Sequence, residues 1–200
     1  MSFVETLEDL EALYPKPGEA SLIKVANRIT PAYRAWIEAA PFCILSTVGP
    51  EGTDGSPRGD DGAVVTVLNE TTLALPDWRG NNRLDSLRNI VSDGRVSLLF
   101  MVPGKSNVIR VNGTGRLSVD PDLISRFEQK RRHPRTVILI SVAEVYSQCA
   151  RALVRARLWE KGDVTDLPSV GDILREQTDG NFDGTSYDAD WAERAKRTMW

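Results

Sequence analysis

Short apolar runs separated by turn residues, rather than by helices, are the feature that most constrains the fold of this chain. Six runs have strand character, and the first ends at Gly49-Pro50 before a glycine- and aspartate-rich turn predicted to reach residue 62. A doubly wound parallel sheet needs a helix after nearly every strand, and none follows the first two runs. The pattern therefore predicts a mainly β protein, a closed or nearly closed antiparallel barrel of six strands with flanking helices. The predicted strands are 42–48, 63–68, 72–76, 96–102, 108–119 and 136–147.

Helical patterns lie around these strands. Thr30-Pro31 has the form of an N-cap followed by proline at the first helical position. Leu84, Leu87 and Ile90 have helical spacing after a polar loop. We expect one domain with N-terminal helices packed on the barrel (1–40), a barrel core (41–160) and a C-terminal helical extension (161–200). The predicted helices are 3–14, 19–29, a third from residue 31, a fourth from residue 84, 121–132, 150–159, 167–177 and a last one from residue 190.

Bulk properties exclude several classes of protein. The net charge of −3 and the pI near 5.3 argue against a protein whose main partner is nucleic acid. No run of 18 apolar residues and no signal-like N-terminus occurs, so we expect a soluble, cytoplasmic protein without a membrane partner. Cys43 and Cys149 form no metal or disulfide motif, and a single histidine, His133, excludes a multi-histidine metal site.

The most informative stretch is the loop Arg79-Gly80-Asn81-Asn82-Arg83 ahead of the Leu84 helix. This loop is predicted to bind an anion. The first N–H groups of the helix are free, the asparagine amides add donors, and Arg83 can donate two parallel hydrogen bonds to a phosphate. The alternative is that Asn81 and Asn82 only cap the helix, with Asn82 and Asp85 as a capping pair, while the arginines are solvated. Arg58, in the turn 56–60 ahead of the next strand, is predicted to approach this loop; alternatively it lies in a surface turn.

These motifs resemble a known family. Ser-Pro-Arg-Gly-Asp at 56–60, Leu-Pro-Asp-Trp-Arg-Gly-Asn-Asn-Arg-Leu-Asp-Ser-Leu-Arg-Asn-Ile at 75–90, Val-Pro-Gly at 102–104 and Ile-Arg-Val-Asn-Gly at 109–113 are similar to the pyridoxamine 5′-phosphate oxidase-related family. Members of that family are split barrels that bind flavin mononucleotide (FMN). The resemblance covers about residues 30–160 and is nearest to a bacterial branch of undefined substrate.

The resemblance implies a homodimer with FMN at the subunit interface. Its phosphate-binding positions fall on Arg58, Asn81, Asn82 and Arg83. Asn82 replaces a charged residue with an amide, and Arg79 could supply the missing charge. The strands along the flavin ring and ribityl chain match Thr66-Val67 and Pro76-Asp77, and Trp78 is expected near the cofactor. Arg110 matches the contribution of the dimer mate. Because no histidine occurs in the C-terminal part, oxidation of pyridoxamine phosphate itself is not expected.

Two basic segments remain to be interpreted. Along 149–159, Arg151, Arg155 and Trp159 are predicted to bind an anionic small-molecule substrate, or else to form a solvated basic face with the indole in the core. Cys149 has no neighbouring histidine that would activate it as a nucleophile. The charge run 129–135, which contains His133, is predicted to be a solvated helix end.

The resemblance implies an FMN-dependent oxidoreductase that transfers hydride between flavin N5 and a small substrate that the sequence does not identify. The flavin would carry the chemistry, so no obligatory catalytic side chain is expected. Two alternatives stay open: a non-catalytic module that stores or senses flavin or another phosphorylated cofactor, such as a deazaflavin or haem, and an interaction protein with an empty barrel.

Overall fold

The structure is a computed structural model that describes residues 1–160, 162 and 166–200. Its strands are β1 (Phe42–Gly49), β2 (Gly52–Gly59), β3 (Thr66–Asn69), β4 (Thr72–Asp77), β5 (Arg95–Met101), β6 (Val108–Ser118) and β7 (Thr136–Gln148). Its helices are α1 (Leu7–Ala12), α2 (Glu19–Ile23), α3 (Pro31–Glu38), α4 (Asp85–Ser92), α5 (Pro121–Ile124), α6 (Arg151–Ala156), α7 (Val170–Gln177), α8 (Gly184–Ala189) and α9 (Trp191–Thr198).

The strands form one antiparallel sheet in the order β2-β1-β5-β6-β7-β4-β3. Every pair of neighbours is antiparallel, so the predicted mainly β architecture with flanking helices is confirmed. The predicted number of six strands is not confirmed, because seven strands are present, and the sheet is not a fully closed barrel, since its edge strands β2 and β3 are not neighbours. An ion pair between Arg58 on β2 and Asp77 on β4 shows that the sheet nevertheless curls until its first and sixth strands meet.

The additional strand is β2, which the sequence predicts as a turn. Its glycines and Pro57 lower the intrinsic preference for a strand. Pairing along the whole of β1, from Phe42 opposite Gly59 to Gly49 opposite Gly52, overrides that preference. Proline has no N–H group to donate, and it is tolerated because β2 is an edge strand, with a neighbouring strand on one side only.

The core lies on the concave side of the sheet. Alternate residues of β1 are buried, including Cys43 and Leu45, as the two-residue period of a strand requires. Phe100 on β5 and Ile138 on β7 join the same cluster. Helix α3 adds Ile37, which is fully buried, and begins at the predicted Thr30 cap, whose hydroxyl accepts a hydrogen bond from the backbone N–H of Tyr33.

The long hairpin of β6 and β7 is bent at Gly113. Its register shifts between Asn112 and Gly113, which marks a β-bulge. A methyl group added at Gly113 would overlap the carbonyl oxygen of Ser141, so only glycine fits this close approach of two backbones.

The terminal regions differ from the expected helices. Helices α1 and α2 bury none of their residues, and the predicted helix 19–29 ends at Ile23. The predicted helix 121–132 ends at Ile124, and its expected last turn is instead a turn between Gln129 and Arg132 in which Lys130 and Arg131 take left-handed backbone angles. The predicted start of the C-terminal extension at residue 161 lies outside the described residues. No helix in the described ranges has the length and apolar character needed to cross a bilayer.

Candidate functional site

A cleft of about 1540 Å³ lies where the curled sheet brings β2 towards the end of β4. This volume exceeds the range of roughly 300–1,000 Å³ that is typical of small-molecule sites. Its walls come from β2, the end of β4, the loop 78–84, the start of α4, residues 132–136 and the C-terminal Met199-Trp200 segment. Eight of the residues predicted to bind the cofactor line it: Arg58, Pro76, Asp77, Trp78, Arg79, Asn81, Asn82 and Arg83.

Arg58 is the innermost cation of the cleft. Its Nη1 donates a hydrogen bond to Asp77 Oδ1 over 2.5 Å, and its side chain is only 18% exposed. The buried Nε of Arg58 has no hydrogen-bond partner among the described residues. Because an unpaired buried donor is costly, the guanidinium has donor capacity that the protein itself does not use.

Thr136 lies beside this ion pair. In the ladder between β4 and β7 it is directly opposite Asp77, so the two side chains lie on the same face of the sheet. Its hydroxyl oxygen is also buried without a partner in the described part of the chain. The sequence analysis missed Thr136, since only the strand register places it next to Asp77.

The loop 79–83 enters α4 through two left-handed residues, Asn82 with φ 58° and Leu84 with φ 65°. Leu84 is the N-cap and provides no side-chain hydrogen bond, so the alternative of an Asn82–Asp85 cap is wrong. Instead, Asn81 Oδ1 accepts from the Arg83 backbone N–H at 3.1 Å, which closes a local turn. The first N–H groups of α4 are therefore left without a side-chain cap, in a loop that lines the cleft.

Arg83 is less enclosed than Arg58. Its side chain is 76% exposed, and its Nε donates to Asp85 Oδ2 over 2.9 Å. A cation in this position contributes to the electrostatic potential at the mouth of the cleft more than to a buried contact.

Trp78 forms an aromatic corner with Trp200. The ring centroids are 5.4 Å apart and the planes are nearly perpendicular, a favourable edge-to-face arrangement. Trp78 Nε1 donates to Asp60 Oδ2 at 2.8 Å, and Gln129 Nε2 donates to the other oxygen of the same carboxylate. Asp60 therefore fixes the orientation of the Trp78 indole, which lines the cleft.

The C-terminal segment is held at the cleft by Arg132. Its Nη1 donates to the carbonyl oxygens of Arg197 at 2.9 Å and of Trp200 at 2.6 Å. A cation that binds the last carbonyls of a helix is favourable there. The predicted helix end at 129–135 is wrong, since α5 stops at Ile124, whereas the predicted exposure of this run is confirmed for Arg132, His133 and Arg135, which also line the cleft. The charge run was the sequence signal for these residues, but the carbonyl oxygens that Arg132 binds lie more than sixty residues away in sequence.

Acidic and basic residues balance along the cleft walls. Five arginines and five aspartates line it, but most are paired locally: Arg58 with Asp77, Arg83 with Asp85. Asp60 accepts from Trp78, and Asp54 accepts from the Ser86 hydroxyl. Arg132 binds backbone carbonyls. The cations left without a protein partner in the described ranges are Arg79 and Arg135.

The remaining predicted residues lie outside the cleft of their own chain. Val67 is buried in the core and Thr66 is exposed on the edge strand β3. Arg110 contacts Tyr146 on the opposite strand at 3.2 Å, and its Nε is buried without a partner in the described residues. Arg151, Arg155 and Trp159 are exposed on and after α6, where Trp159 Nε1 donates to the Lys105 carbonyl at 2.9 Å. Their assignment to cofactor or substrate stays a prediction.

Solved structures that resemble this chain come from several bacteria. A single-residue variant of HupZ from Group A Streptococcus is 15% identical, with a TM-score of 0.50 over 60% of this chain and 99% of that chain. An FMN-binding protein from Syntrophomonas wolfei is 12% identical, with a TM-score of 0.46 over 58% and 83%. General Stress Protein 26 from Bacillus anthracis is 18% identical, with a TM-score of 0.43 over 56% and 88%. At these identities the likeness concerns the fold alone.

Family membership follows from the sequence match. None of the curated protein sequences resembles the chain closely enough to count as a match. Residues 29–149, more than half of the chain, match the family model described as pyridoxamine 5′-phosphate oxidase. The match spans β1 to β7 and contains most of the cleft, including Arg58 and the loop 79–83. The protein is therefore a member of the pyridoxamine 5′-phosphate oxidase family.

Proposed function

We propose that this protein is a flavoprotein that binds FMN in the cleft between β2, β4 and α4, and that it acts as an oxidoreductase on a small molecule. The observation that carries the proposal is the unused donor capacity of Arg58, a largely buried arginine beside an uncapped helix start. A phosphate monoester suits such a site, because it carries up to two negative charges and several acceptor oxygens.

The phosphate would be held from three sides. Arg58 and the Thr136 hydroxyl offer donors from the sheet, and both have a buried atom without a protein partner among the described residues. Arg79 offers a cation without a local acid, and Asn82 and Arg83 offer an amide and a guanidinium from the loop. This distribution supports binding of the phosphate end of FMN rather than of an uncharged ligand.

The remaining contacts would come from both subunits of a homodimer. Pro76, Asp77 and Trp78 continue from the phosphate site along the wall of the same cleft. Thr66, Val67 and Arg110 do not line it in one chain. We propose that Arg110 reaches the cofactor of the partner subunit, where its unpaired buried Nε would gain an acceptor. FMN would then lie at the subunit interface.

When bound, FMN supplies hydride transfer at its N5 atom. The chain's own residues bind the phosphate, position the ring and shape the space for the substrate. Trp78 and Trp200 form an apolar corner of the cleft, and His133 also lines it, with Nδ1 2.7 Å from the Phe127 carbonyl oxygen. With Nδ1 as donor, Nε2 is available as an acceptor for a substrate proton.

The test of this proposal is a comparison of FMN with riboflavin, which lacks the phosphate. Isothermal titration of the full chain should show FMN binding much more tightly than riboflavin, and the complex should have a flavin absorption spectrum. Equal affinity for the two ligands, or no binding of either, would refute the proposal.

Anaerobic reduction of the complex by NADH or NADPH, followed by reoxidation with an added acceptor, then separates an enzyme from a protein that only stores flavin. Repeated turnover supports the oxidoreductase. A flavin that stays oxidised with every donor supports storage.

A further inference from the structure

The first 23 residues, called here the N-terminal arm, expose an unusual amount of apolar surface. Leu7 is 77% exposed, Leu13 is 65% exposed, and neither α1 nor α2 buries any residue. Exposed apolar surface of this extent marks an interaction site in soluble proteins. The other large apolar side chains exposed along the arm are Met1, Phe3, Val4, Leu10, Tyr14, Leu22 and Ile23.

Local interactions do not account for the helical structure of the arm. Helix α1 has six residues, and Thr6 caps it by accepting a hydrogen bond from the Asp9 backbone N–H at 3.1 Å. Isolated helices shorter than about 12 residues are marginal in water, because nucleation is costly. A helix of this length needs a partner surface against which its apolar residues pack.

The charge of the arm defines the partner that it fits. Residues 1–23 contain five acidic side chains and one lysine. Glu8 and Glu11 lie on neighbouring turns of α1, are exposed, and form no ion pair with the described residues. The arm therefore combines apolar and acidic character, and its complement is an apolar and basic surface.

Helix α6 is such a surface. Arg151, Val154 and Arg155 share one face of α6, and Val154 is 57% exposed. Leu158 and Trp159 extend the exposed apolar area beyond the helix. Neither Arg151 nor Arg155 forms an ion pair among the described residues, whereas Arg157 is paired with Glu160.

Both surfaces lie at the same end of β7. The backbone of Ala26, just after the arm, exchanges two hydrogen bonds of 3.0 and 2.8 Å with Val145. Helix α6 begins at Arg151, shortly after β7 ends at Gln148. Yet the arm and α6 do not bury each other within one chain, since α1 has no buried residue and the exposed face of α6 remains open.

We propose that the N-terminal arm of one copy docks on α6 of a second copy, and that the reciprocal contact completes a two-fold dimer. A two-fold arrangement uses both surfaces of both chains and leaves neither exposed. Opposite charges set the partner, and the leucines of the arm pack against Val154, Leu158 and Trp159. This contact assigns Arg151 and Arg155 to subunit pairing instead of substrate binding.

The test uses two charge-reversed full-length variants. One carries Glu8→Lys and Glu11→Lys in the arm, and the other carries Arg151→Glu and Arg155→Glu in α6. Each variant alone should have a dimer dissociation constant at least tenfold above that of the unchanged protein in sedimentation equilibrium at low salt. Mixed in equal amounts, the two should form a heterodimer with nearly the original affinity, because each arm then meets an α6 of opposite charge in the other chain.

Mixing also separates docking on a second copy from folding back within one chain. If rescue occurs only when all four substitutions are in one chain, the arm binds its own α6 and the proposal is refuted. Dimerisation of either variant at the unchanged affinity, or a monomeric unchanged protein, also refutes it. A control matched to the arm variant, Glu51→Lys with Glu176→Lys, raises the net charge by the same amount at exposed sites and should leave the dissociation constant unchanged. Circular dichroism verifies folding, and flavin absorbance in the same samples tests cofactor binding independently.

Discussion

The guanidinium of Arg58 and the carboxylate of Asp77 form an ion pair of 2.5 Å that joins two strands five places apart in the sheet order. Both side chains are largely buried, at 18% and 16% exposure, so the pair is shielded from solvent and salt. Both residues line the cleft, and the pair fixes the side chain that we propose binds the phosphate. The same pair therefore shapes the fold and the electrostatics of the site.

The two partners of this pair should affect FMN binding in opposite directions. Arg58→Met should weaken binding by roughly 1.5–3 kcal/mol, since it removes charge-assisted hydrogen bonds to phosphate. Asp77→Asn should strengthen binding by about 1 kcal/mol, because a carboxylate near the phosphate repels it. Isothermal titration of both variants measures these shifts, and equal losses of affinity would contradict the assignment of Arg58 to the phosphate.

Arg83 should contribute less than Arg58, because it is 76% exposed and already paired with Asp85. Arg83→Ala should reduce FMN affinity by roughly 1.5 kcal/mol, at the low end for a charged hydrogen bond. Riboflavin provides the control: its affinity should not change, since it has no phosphate. A parallel loss for both ligands would place Arg83 near the ring or show that the loop has rearranged.

Trp200 should report on ligand binding through its contact with Trp78. Titration of FMN into the protein should quench tryptophan fluorescence, and Trp200→Phe should remove part of that quenching. Arg132→Ala should have the same effect, because it releases the carbonyl oxygens that hold the segment in place. Trp191→Phe is the matched control, since this indole is 58% exposed on α9 and does not line the cleft. Quenching that is identical in all three variants would remove Trp200 from the site.

Gly113→Ala should destabilise the fold. The added methyl group would overlap the Ser141 carbonyl in the β6–β7 hairpin, and overpacking of this kind costs about 1–3 kcal/mol. Gly55→Ala is the control, because nothing lies within 4 Å of its added carbon. Urea unfolding followed by circular dichroism gives the free energy of unfolding of both variants. Similar values for the two would show that the bulge adjusts without cost.

The two thiols should differ sharply in reactivity. Burial raises the pKa of the Cys43 thiol to about 12, although the nearby Arg58 charge opposes this, whereas Cys149 is exposed. Because the thiolate is the reactive form, iodoacetamide at pH 8 should modify Cys149 and spare Cys43 in the folded protein. Mass spectrometry of the intact chain should show one added group without urea and two with it. Early modification of Cys43 would indicate local opening of β1.

Part of this protein could be read from local sequence. The alternation of apolar runs and turns predicted the antiparallel sheet and six of its seven strands, because a half-buried strand requires side chains of period two. The loop 79–83 also stands out locally, because glycine, asparagines and arginines ahead of a helix are a short-range signal. From the order of strands, Arg58 was expected to come near that loop, and both line the same cleft.

Only the tertiary structure decided the remaining features. The segment Gly52–Gly59 is a strand because β1 offers it a full row of hydrogen-bond partners, although its own residues favour a turn. Thr136 reaches the site through the register of β7 with β4, and Arg132 and Trp200 meet across 68 positions of sequence. The conformational preferences of single residues do not reveal contacts between such distant positions, because these contacts arise only when the curled sheet brings the segments together. The sequence by itself therefore determined six of the seven strands and singled out the loop 79–83, and packing decided what surrounds them.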